Sequence, residues 1–353
     1  MLKRKVILRT LKRNGSLVAL CLIWLLLPFL AAQAQQPSAP INNNGPSDLQ
    51  KEVEQLREEI RQLKAALAEQ QRQLSGIEKH LTVAPEVEVQ PEDYAQARSR
   101  FQTKLLRKGG SPHKWPPVQP PAGVTEVEYA SGELRLKAWV NRPADTSRKH
   151  PAVLFLHGGF AFNRVAWEQA KPYRDAGFVV LTPILRAENG QRGSWSYFYD
   201  EVDDVIAAAE YLGQQSYVDA SRLFMAGHSN GGTLTLLAAM ASRRFRAAAS
   251  FDGATYRPDF VNHPESLPFD RHDPREIQMR SPIAYAGSFK CPARLYHSTQ
   301  SLDVARLMSQ RTAALARMRG LDVEAVEIEG DHVTHVPQAM AQSIAFFQRF
   351  QAQ

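Results

Sequence analysis

The sequence predicts an α/β protein with a doubly wound, mostly parallel sheet, preceded by an N-terminal coiled-coil helix. Two observations predict the sheet: short, continuous apolar runs recur after residue 150, and helical stretches separate them. Strands of a parallel sheet are covered by helices on both faces, so they read as unbroken apolar runs. A third observation, a heptad repeat that ends near residue 82, predicts the coiled coil.

The first 34 residues have the organisation of a secretory signal peptide. Basic residues precede an apolar run at 17–30, and Ala32-Gln33-Ala34 follows it as a small-x-small cleavage signature. We therefore expect an exported protein, periplasmic or secreted, or alternatively one anchored in a membrane by an uncleaved apolar run. The formal net charge of +7 comes almost entirely from this leader, so nucleic-acid binding is not indicated.

A flexible spacer and a coiled coil are expected next. Residues 35–47 are rich in Gln, Asn, Pro and Ser and contain too little apolar material to fold. In residues 48–82, apolar side chains recur at alternating spacings of four and three, a stripe too narrow for a globular helix. This heptad pattern predicts a homo-oligomer joined through residues 49–81, with the number of strands left open. The seam residues are Leu49, Val53, Leu56, Ile60, Leu63, Leu67, Leu74, Ile77 and Leu81.

A proline-rich linker at 83–123, with one short helix from Glu92 to Leu106, is expected to dock on the domain that follows it at 124–353. That domain begins with two strands, at 124–129 and 133–140, joined by a turn at Ser131-Gly132. Further strands are expected at 152–156, 178–181, 221–226, 247–251, 293–296 and 323–328, and helices near 165–175, 201–213, 231–242, 302–319 and 336–350.

The apolar run at 221–226 stops abruptly at Gly227-His228-Ser229-Asn230-Gly231, and the chain resumes as a helix. A Gly-x-Ser-x-Gly sequence between a strand and a helix is typical of a nucleophile elbow. The tight turn holds the serine at strained backbone angles, and the flanking glycines, Gly227 and Gly231, relieve the crowding. The turn also places the Ser229 hydroxyl at a helix N-terminus, where developing negative charge is stabilised.

A second motif, His157-Gly158-Gly159-Phe160, follows another strand of the predicted sheet. Ligands of such sheets bind at the carboxyl ends of the strands, which is where both motifs fall. Paired glycines allow backbone N–H groups to turn toward a bound carbonyl oxygen. We predict an oxyanion hole formed by the N–H of Asn230 together with that of Gly159 or Phe160, a choice that the sequence leaves open.

A serine hydroxyl is a poor nucleophile without a base, and histidine is the side chain that titrates near neutral pH. Two histidines lie directly after the last predicted strand. His332 is closer to the end of that strand and is favoured as the general base, and His335 is the alternative. The insert at 252–290 is expected to form a lid or pocket wall, together with three aromatic residues: Trp195, Tyr197 and Phe198.

Residues 124 to about 350 resemble an α/β-hydrolase, and more closely the catalytic domain of the prolyl oligopeptidase and dienelactone hydrolase-like branch. The resemblance implies a Ser/His/acid triad in the chain order nucleophile, acid, base, with Ser229 as nucleophile and His332 as general base. The segments that carry it are His157-Gly158-Gly159, 200–212, Val218-Asp219, Arg222, 227–232, Ser281-Pro282, 292–297, and His332 before Phe346-Phe347.

The acid is where this chain departs from the family pattern. In these relatives an aspartate is the fourth residue after the histidine that ends the corresponding strand, whereas the fourth residue after His297 is Ser301. Asp303 is favoured as the substitute, and Asp252, just past the preceding strand, is the alternative. The third possibility is that no acid orients the histidine, which costs on the order of 10⁴ in turnover.

The sequence thus predicts an exported serine hydrolase that cleaves a carboxylic ester, or a peptide bond, through an acyl-enzyme at Ser229. An ester is favoured because the chain has no room for a propeller domain and no obvious paired-glutamate clamp for a peptide amino terminus. No metal ion or organic cofactor is expected. The expected partners are a small ester or short peptide and further copies of the chain. The rival hypothesis is a catalytically impaired hydrolase-fold binding or scaffold protein that its coiled coil oligomerises.

Overall fold

The computed structural model describes residues 54, 56–58, 60–61, 64, 88–113, 118–256 and 267–350. The chain divides into two compact units, Met1–Gly76 and Ile77–Gln353. In the first unit the described residues are helical and exposed, including the predicted seam residues Leu56 and Ile60. The predicted signal peptide, the spacer and the rest of the predicted coiled coil lie outside the described residues. Among the described helices, none combines the length and apolar character needed to cross a membrane.

The second unit is built on one eight-stranded sheet. Its strands are β1 (Val124–Ser131), β2 (Leu134–Asn141), β3 (His150–Leu156), β4 (Val179–Pro183), β5 (Val218–His228), β6 (Ala248–Phe251), β7 (Ala293–Ser298) and β8 (Val323–Ile328). They are arranged in the order β1-β2-β4-β3-β5-β6-β7-β8. The pairs β1–β2 and β2–β4 are antiparallel and all the other pairs are parallel. The prediction of a doubly wound, mostly parallel sheet is therefore confirmed.

The helices follow the predicted alternation with strands. They are α1 (Tyr94–Arg100), α2 (Arg164–Gln169), α3 (Lys171–Asp175), α4 (Glu201–Gly213), α5 (Asn230–Ala241), α6 (Pro274–Gln278), α7 (Asp303–Arg317) and α8 (Val336–Gln348), with a 3₁₀ segment at Pro282–Ser288. The single helix predicted at 165–175 is two helices that meet at Ala170. Pro172 is the physical reason, because its nitrogen has no hydrogen to donate to the preceding turn.

The linker helix is shorter than the predicted span from Glu92 to Leu106. The Asp93 side chain caps its start by accepting from the Ala95 N–H, and the helix ends at Arg100. Beyond that point, the Thr103 hydroxyl and the Lys104 N–H donate to the Glu276 carboxylate instead of to helical carbonyls. Hydrogen bonds to a distant side chain therefore end the helix, and local sequence does not encode them.

Both faces of the sheet are buried, which explains the continuous apolar strands. Along β3, Ala152, Leu154 and Leu156 face a core shared with α4 and α5, whereas Val153 and Phe155 face a second core shared with α3 and α8. The edge strand β1 is less buried, and the opposite edge strand β8 is the exception among the strands predicted from continuous apolar runs. Its two central residues are only half buried, with exposed glutamates on either side, so the expectation of complete burial was wrong there. Residues of β5 and β6 pack into both cores, and the candidate site follows these two strands.

Candidate active site

Ser229 lies between the end of β5 and the first residue of α5, at φ 56° and ψ −118°. A positive φ is strained for a residue with a side chain, and such strain is concentrated at functional turns. A Cβ atom on Gly231 would come within 2.2 Å of the Leu156 carbonyl oxygen, and one on Gly227 within 2.4 Å of the Gly231 oxygen. Neither glycine can carry a side chain without movement of the backbone, which is the physical reason for the motif.

The loop after β8 brings His332 beside this elbow. His332 Nδ1 lies 3.0 Å from Asp252 Oδ2, and its side chain is 53% exposed. His228 Nε2 lies 2.8 Å from the His332 carbonyl oxygen, and the rings of the two histidines are 4.8 Å apart. Within the described part of the chain no hydrogen bond joins Ser229 Oγ to His332. Proton transfer therefore requires these two side chains to come within hydrogen-bond distance when substrate binds.

His228 has a tethering role that the sequence did not suggest. A carbonyl oxygen only accepts, so His228 Nε2 donates to the His332 carbonyl, and His228 Nδ1 accepts from the Gln169 side-chain amide at 3.2 Å. Burial lowers the pKa of His228 to about 4 and keeps this imidazole neutral near pH 7. The tether therefore does not depend on a charge.

His335, the alternative base, is fully buried at the start of α8. Its Nδ1 lies 2.8 Å from the Asp331 carbonyl oxygen and 3.8 Å from Asp252 Oδ2. Among the described residues, its Nε2 has no hydrogen-bond partner. His332 is thus the histidine that combines solvent access with a hydrogen-bonded carboxylate.

Asp252 directly follows β6, with a φ of 47°. Its Oδ2 contacts His332, and its Oδ1 accepts from the Ser298 N–H and from the Ser301 hydroxyl, both at 2.9 Å. Burial acts to raise the pKa of Asp252, but these hydrogen bonds and the nearby His335 hold that pKa well below its usual range. Asp252 is therefore an ionised acceptor for His332.

The sequence favoured Asp303 over Asp252 as the partner of the histidine, and the structure places the Asp252 carboxylate against His332. Asp303 is the first residue of α7, beyond the loop that follows β7. Asp252 stands next to the elbow because β5 and β6 are adjacent parallel strands, and the Ser229 N–H donates to the Phe251 oxygen at 2.8 Å. The place of β6 beside the elbow strand is what brings the Asp252 carboxylate to His332.

The glycine loop lies against the elbow as its strand position predicted. A Cβ atom on Gly158 would stand 3.4 Å from Ser229 Cβ, and the Asn230 side-chain amide donates to the Gly159 oxygen at 3.1 Å. Gly159 has a φ of 74°, a conformation that glycine adopts without strain. The Phe160 N–H donates to His113 Nδ1 at 3.4 Å. The Phe160 N–H, one of the two N–H groups that the sequence left open as the second oxyanion donor, is therefore already hydrogen bonded to His113.

A buried ion pair that the sequence did not reveal supports this loop. His157 Nε2 lies 3.0 Å from Glu188 Oε2, and His157 Nδ1 lies 3.0 Å from the Gly158 oxygen. Burial acts to lower the pKa of His157, but the Glu188 charge and hydrogen bond give a net rise. Glu188 lies in the loop after β4, outside any catalytic motif. Its position at the carboxyl edge of the sheet was therefore the only feature of the sequence that could have indicated a role near the site.

The three aromatic residues predicted as pocket walls form a packed cluster behind Phe160. The Phe160 ring centroid lies 5.1 Å from that of Trp195, 5.6 Å from Tyr197 and 6.0 Å from Phe198. All three are buried, so they support the glycine loop more than they line an open pocket. Residues 257–266 of the predicted lid lie outside the described residues.

The arrangement as a whole suits acyl transfer. A strained serine stands at a helix N-terminus, a histidine bonded to a carboxylate stands beside it, and a glycine loop follows the adjacent parallel strand β3 at the same edge. His228, His332 and His335 lie near one another. Even so, the described residues contain no group of three or more His, Cys, Asp or Glu residues that could hold a metal ion.

Known proteins share this architecture and part of this sequence. A family model described as the prolyl oligopeptidase family matches residues 164–353. The chain is 25% identical over 194 residues to the uncharacterized peptidase YtmA of Bacillus subtilis, a match that covers 50% of this chain and 73% of the relative.

Two solved structures show the fold in proteins of different length. A puromycin-hydrolyzing peptidase of Mycobacterium tuberculosis matches with a TM-score of 0.57 and 23% identity, over 64% of this chain and 40% of that one. An esterase of Thermogutta terrifontis matches with a TM-score of 0.53 and 19% identity, over 65% of this chain and 93% of that one. At such identities the likeness establishes the shared α/β-hydrolase fold. This chain spans less than half of the peptidase.

Proposed function

Because the chain belongs to the prolyl oligopeptidase family, we propose that it is a serine hydrolase that forms an acyl-enzyme at Ser229. The observation that carries this proposal is the 3.0 Å contact between His332 Nδ1 and Asp252 Oδ2 beside the strained serine. The rival hypothesis of an impaired scaffold rested on the missing acid. That hypothesis assumes that no carboxylate orients the histidine, whereas the Asp252 carboxylate contacts His332. We therefore favour a catalytic function over a scaffold function.

In the proposed reaction, Ser229 Oγ attacks the substrate carbonyl carbon while His332 Nε2 accepts the hydroxyl proton. The carbonyl oxygen becomes an oxyanion, the bond to the leaving group then breaks, and His332 returns the proton to that group. Water, activated by the same histidine, attacks the acyl-enzyme and releases the acid. Asp252 accepts from the His332 Nδ1–H throughout, which directs Nε2 toward the serine and stabilises the imidazolium.

The oxyanion is proposed to accept from the backbone N–H groups of Asn230 and Gly159. Asn230 is the first residue of α5, where N–H groups point away from the helix toward the serine. Gly159 is preferred over Phe160 because the Phe160 N–H already donates to His113. Removal of one such donor typically costs on the order of 10²- to 10³-fold in kcat.

An ester is proposed as the preferred substrate, ahead of a peptide. The matched part of the chain corresponds to 93% of the Thermogutta esterase but to only 40% of the mycobacterial peptidase, so this part resembles nearly the whole of the esterase. Export through residues 1–34 and assembly through residues 49–81 are further parts of the proposal. The exposure of Leu56 and Ile60, four residues apart on one helix face, favours a partner helix.

A fluorophosphonate probe tests the nucleophile directly. We expect stoichiometric labelling of the folded protein, with the adduct located by mass spectrometry on the peptide that contains Ser229. Ser229→Ala and heat-denatured wild-type protein should both remain unlabelled, because labelling needs an activated hydroxyl rather than any serine. An adduct on another residue, or none on folded protein, would contradict the proposed function.

Ser301 is proposed to position Asp252 without touching substrate. Its hydroxyl donates to Asp252 Oδ1 at 2.9 Å, so it in turn accepts from the Ser298 hydroxyl, whose oxygen lies 2.6 Å away. The Ser298 N–H donates to the same Oδ1. With Oδ1 held by two donors, the carboxylate cannot rotate freely, and Oδ2 stays directed at His332.

We expect Ser301→Ala to lower kcat by about 10-fold to 100-fold with little change in KM, as for loss of a hydrogen bond to a charged group. Ser301→Thr, which keeps the hydroxyl, should retain most of the activity. Steady-state kinetics on a short-chain aryl ester, together with melting temperatures, checks both variants. Equal losses in the two variants, or a loss that follows the melting temperature, would assign Ser301 a structural role only.

A further inference from the structure

His157, the first residue after β3, holds the carbonyl group of its own neighbour from a buried position. Its Nδ1 lies 3.0 Å from the Gly158 carbonyl oxygen, and its Nε2 lies 3.0 Å from Glu188 Oε2. The His157 and Glu188 side chains are both buried. Because a carbonyl oxygen can only accept a hydrogen bond, His157 Nδ1 carries a hydrogen and donates it to Gly158.

Glu188 fixes the state of the other ring nitrogen. Its Oε2 accepts from the Leu185 N–H at 3.1 Å, and the same carboxylate oxygen accepts from His157 Nε2. With a hydrogen on each ring nitrogen, His157 is an imidazolium. Burial opposes this charge, but the Glu188 charge and hydrogen bond give a net rise in the pKa of His157, which agrees with the doubly protonated ring.

The bond to Gly158 sets the direction of the next N–H group. The Gly158 carbonyl and the Gly159 N–H belong to one planar peptide group, and the described residues contain no cis peptide bond. In a trans peptide the C=O and the N–H point in opposite directions. The Gly159 N–H is therefore directed away from the His157 ring, and among the described residues no backbone group accepts from it.

The order of the strands identifies the side to which this N–H is turned. β3 lies between β4, which Glu188 follows, and β5, which Ser229 follows. Because the His157 ring reaches toward the β4 side, the opposite direction is that of the elbow. The loop is already close to the elbow, since a Cβ atom on Gly158 would stand 3.3 Å from His228 Nδ1 and 3.4 Å from Ser229 Cβ.

The next peptide group of the loop is held by a different side chain. The Asn230 side-chain amide donates to the Gly159 oxygen at 3.1 Å, and the N–H at the other end of that peptide, from Phe160, donates to His113. The two successive N–H groups are therefore fixed separately. Asn230 and His113 hold that of Phe160, whereas His157 holds that of Gly159 through the Gly158 oxygen.

We propose that His157 is a positioning residue of the oxyanion hole, which binds the Gly158 oxygen and so keeps the Gly159 N–H turned toward Ser229. Glu188 anchors its ring, and neither side chain touches substrate. This inference rests on the proposed function and explains how one of its donors is oriented. Without the bond from His157, the peptide between the two glycines can rotate as a unit, because glycine has wide backbone freedom.

Two amide variants separate the two hydrogen bonds of His157. His157→Asn places an amide near the former Nδ1, so it can still donate to the Gly158 oxygen but does not reach Glu188. His157→Gln places an amide near the former Nε2, so it can still donate to Glu188 but releases Gly158. His150→Gln is the matched control, because His150 is a buried histidine at the other end of β3 whose Nε2 lies 2.6 Å from the Asp145 oxygen.

Each variant is assayed on p-nitrophenyl butyrate and on its thionoester analogue, in which sulfur replaces the carbonyl oxygen. Sulfur is a weak hydrogen-bond acceptor, so the thionoester gains little from an oxyanion donor. We expect His157→Gln to lower kcat/KM on the oxygen ester by about 10²-fold, as for loss of one donor, and on the thionoester by less than about tenfold. His157→Asn should stay within about tenfold of wild type on both esters.

Melting temperatures supply the readout that a purely structural role would follow. His157→Asn leaves the buried Glu188 carboxylate without its partner, so it should melt at a lower temperature than His157→Gln and yet be the more active variant. His150→Gln should match wild type on both esters whatever its melting temperature.

Three results would overturn the proposal. The first is equal loss of activity in the two His157 variants, or a loss that follows the melting temperature. The second is equal loss on the oxygen ester and the thionoester. The third applies even if His157→Gln does not fold: a folded His157→Asn that loses about 10²-fold on the oxygen ester alone would show that a donor to Gly158 is not what orients the loop.

These failures differ from failure of the proposed function. If Ser229 is not the nucleophile, wild-type protein hydrolyses neither ester above the Ser229→Ala background, and both proposals fall together. If only the inference about His157 is wrong, hydrolysis that depends on Ser229 persists, but the two amide variants or the two esters respond alike.

Discussion

Replacement of His332 by alanine is expected to lower kcat on a short-chain aryl ester by as much as about 10⁶-fold, close to the effect of removing Ser229 itself. The physical reason is that Ser229 Oγ then has no acceptor for its proton, and the carboxylate of Asp252 has lost the imidazole that it orients. Steady-state kinetics with active-site titration measures the effect. A change in KM alone would not satisfy the prediction, because the histidine acts in the chemical step.

His335→Ala is the matched control, since both histidines lie in the same loop region. His335 is fully buried and bonded to the Asp331 oxygen, so its removal should lower the melting temperature while kcat stays within about tenfold of wild type. Near-complete loss of kcat in His335→Ala, with activity retained in His332→Ala, would assign the base to His335 and overturn the geometry proposed here.

The parts of the site that the sequence indicates most directly are those with local physical constraints. The elbow at Ser229 can be recognised from the sequence because Gly227 and Gly231 have no room for a side chain. This steric constraint is contained in a motif of five consecutive residues. The candidate general base is nearly as easy to predict, because a histidine directly after the last strand must lie at the carboxyl edge of a parallel sheet. Here His332 occupies that position.

The acid was harder to predict because it depends on contacts between strands. Asp252 and Asp303 each lie near the carboxyl end of a neighbouring strand, and composition does not distinguish them. In the structure Asp252 has a left-handed φ of 47°, and two donors meet its Oδ1. Neither the backbone angle nor the donors can be derived from a sequence pattern.

The segment at 105–113 shows a second limit of the same kind. Proline-rich composition predicted that residues 83–123 are a linker, and docking on the domain was expected, but contact with the glycine loop was not. Ser111 is buried although its neighbours Gly109 and Pro112 are turn-forming residues that suggest an exposed loop. The Ser111 hydroxyl donates to the Phe160 oxygen, and the Gly109 oxygen accepts from the Trp195 N–H. These partners lie far along the chain, so only the folded arrangement shows that the segment borders the site.

The remaining large effect concerns the acid. We expect Asp252→Asn to lower kcat by on the order of 10⁴-fold with a nearly unchanged KM, whereas Asp303→Asn should stay within about twofold of wild type. An asparagine amide at position 252 can donate to His332 Nδ1, which favours the tautomer with hydrogen on Nε2. That tautomer cannot accept the Ser229 proton.

The two asparagine variants separate all three hypotheses about the acid. Both substitutions keep side-chain size, so circular dichroism and melting temperature should show folded protein in each case. Asp303 begins α7, where loss of a negative charge removes at most about 1 kcal/mol of helix-dipole stabilisation. A large loss confined to Asp303→Asn would restore the family-like position of the acid. Small losses in both variants would mean that no carboxylate orients His332. A large loss confined to Asp252→Asn would show that the acid lies after β6, with Ser301 as its hydrogen-bond donor.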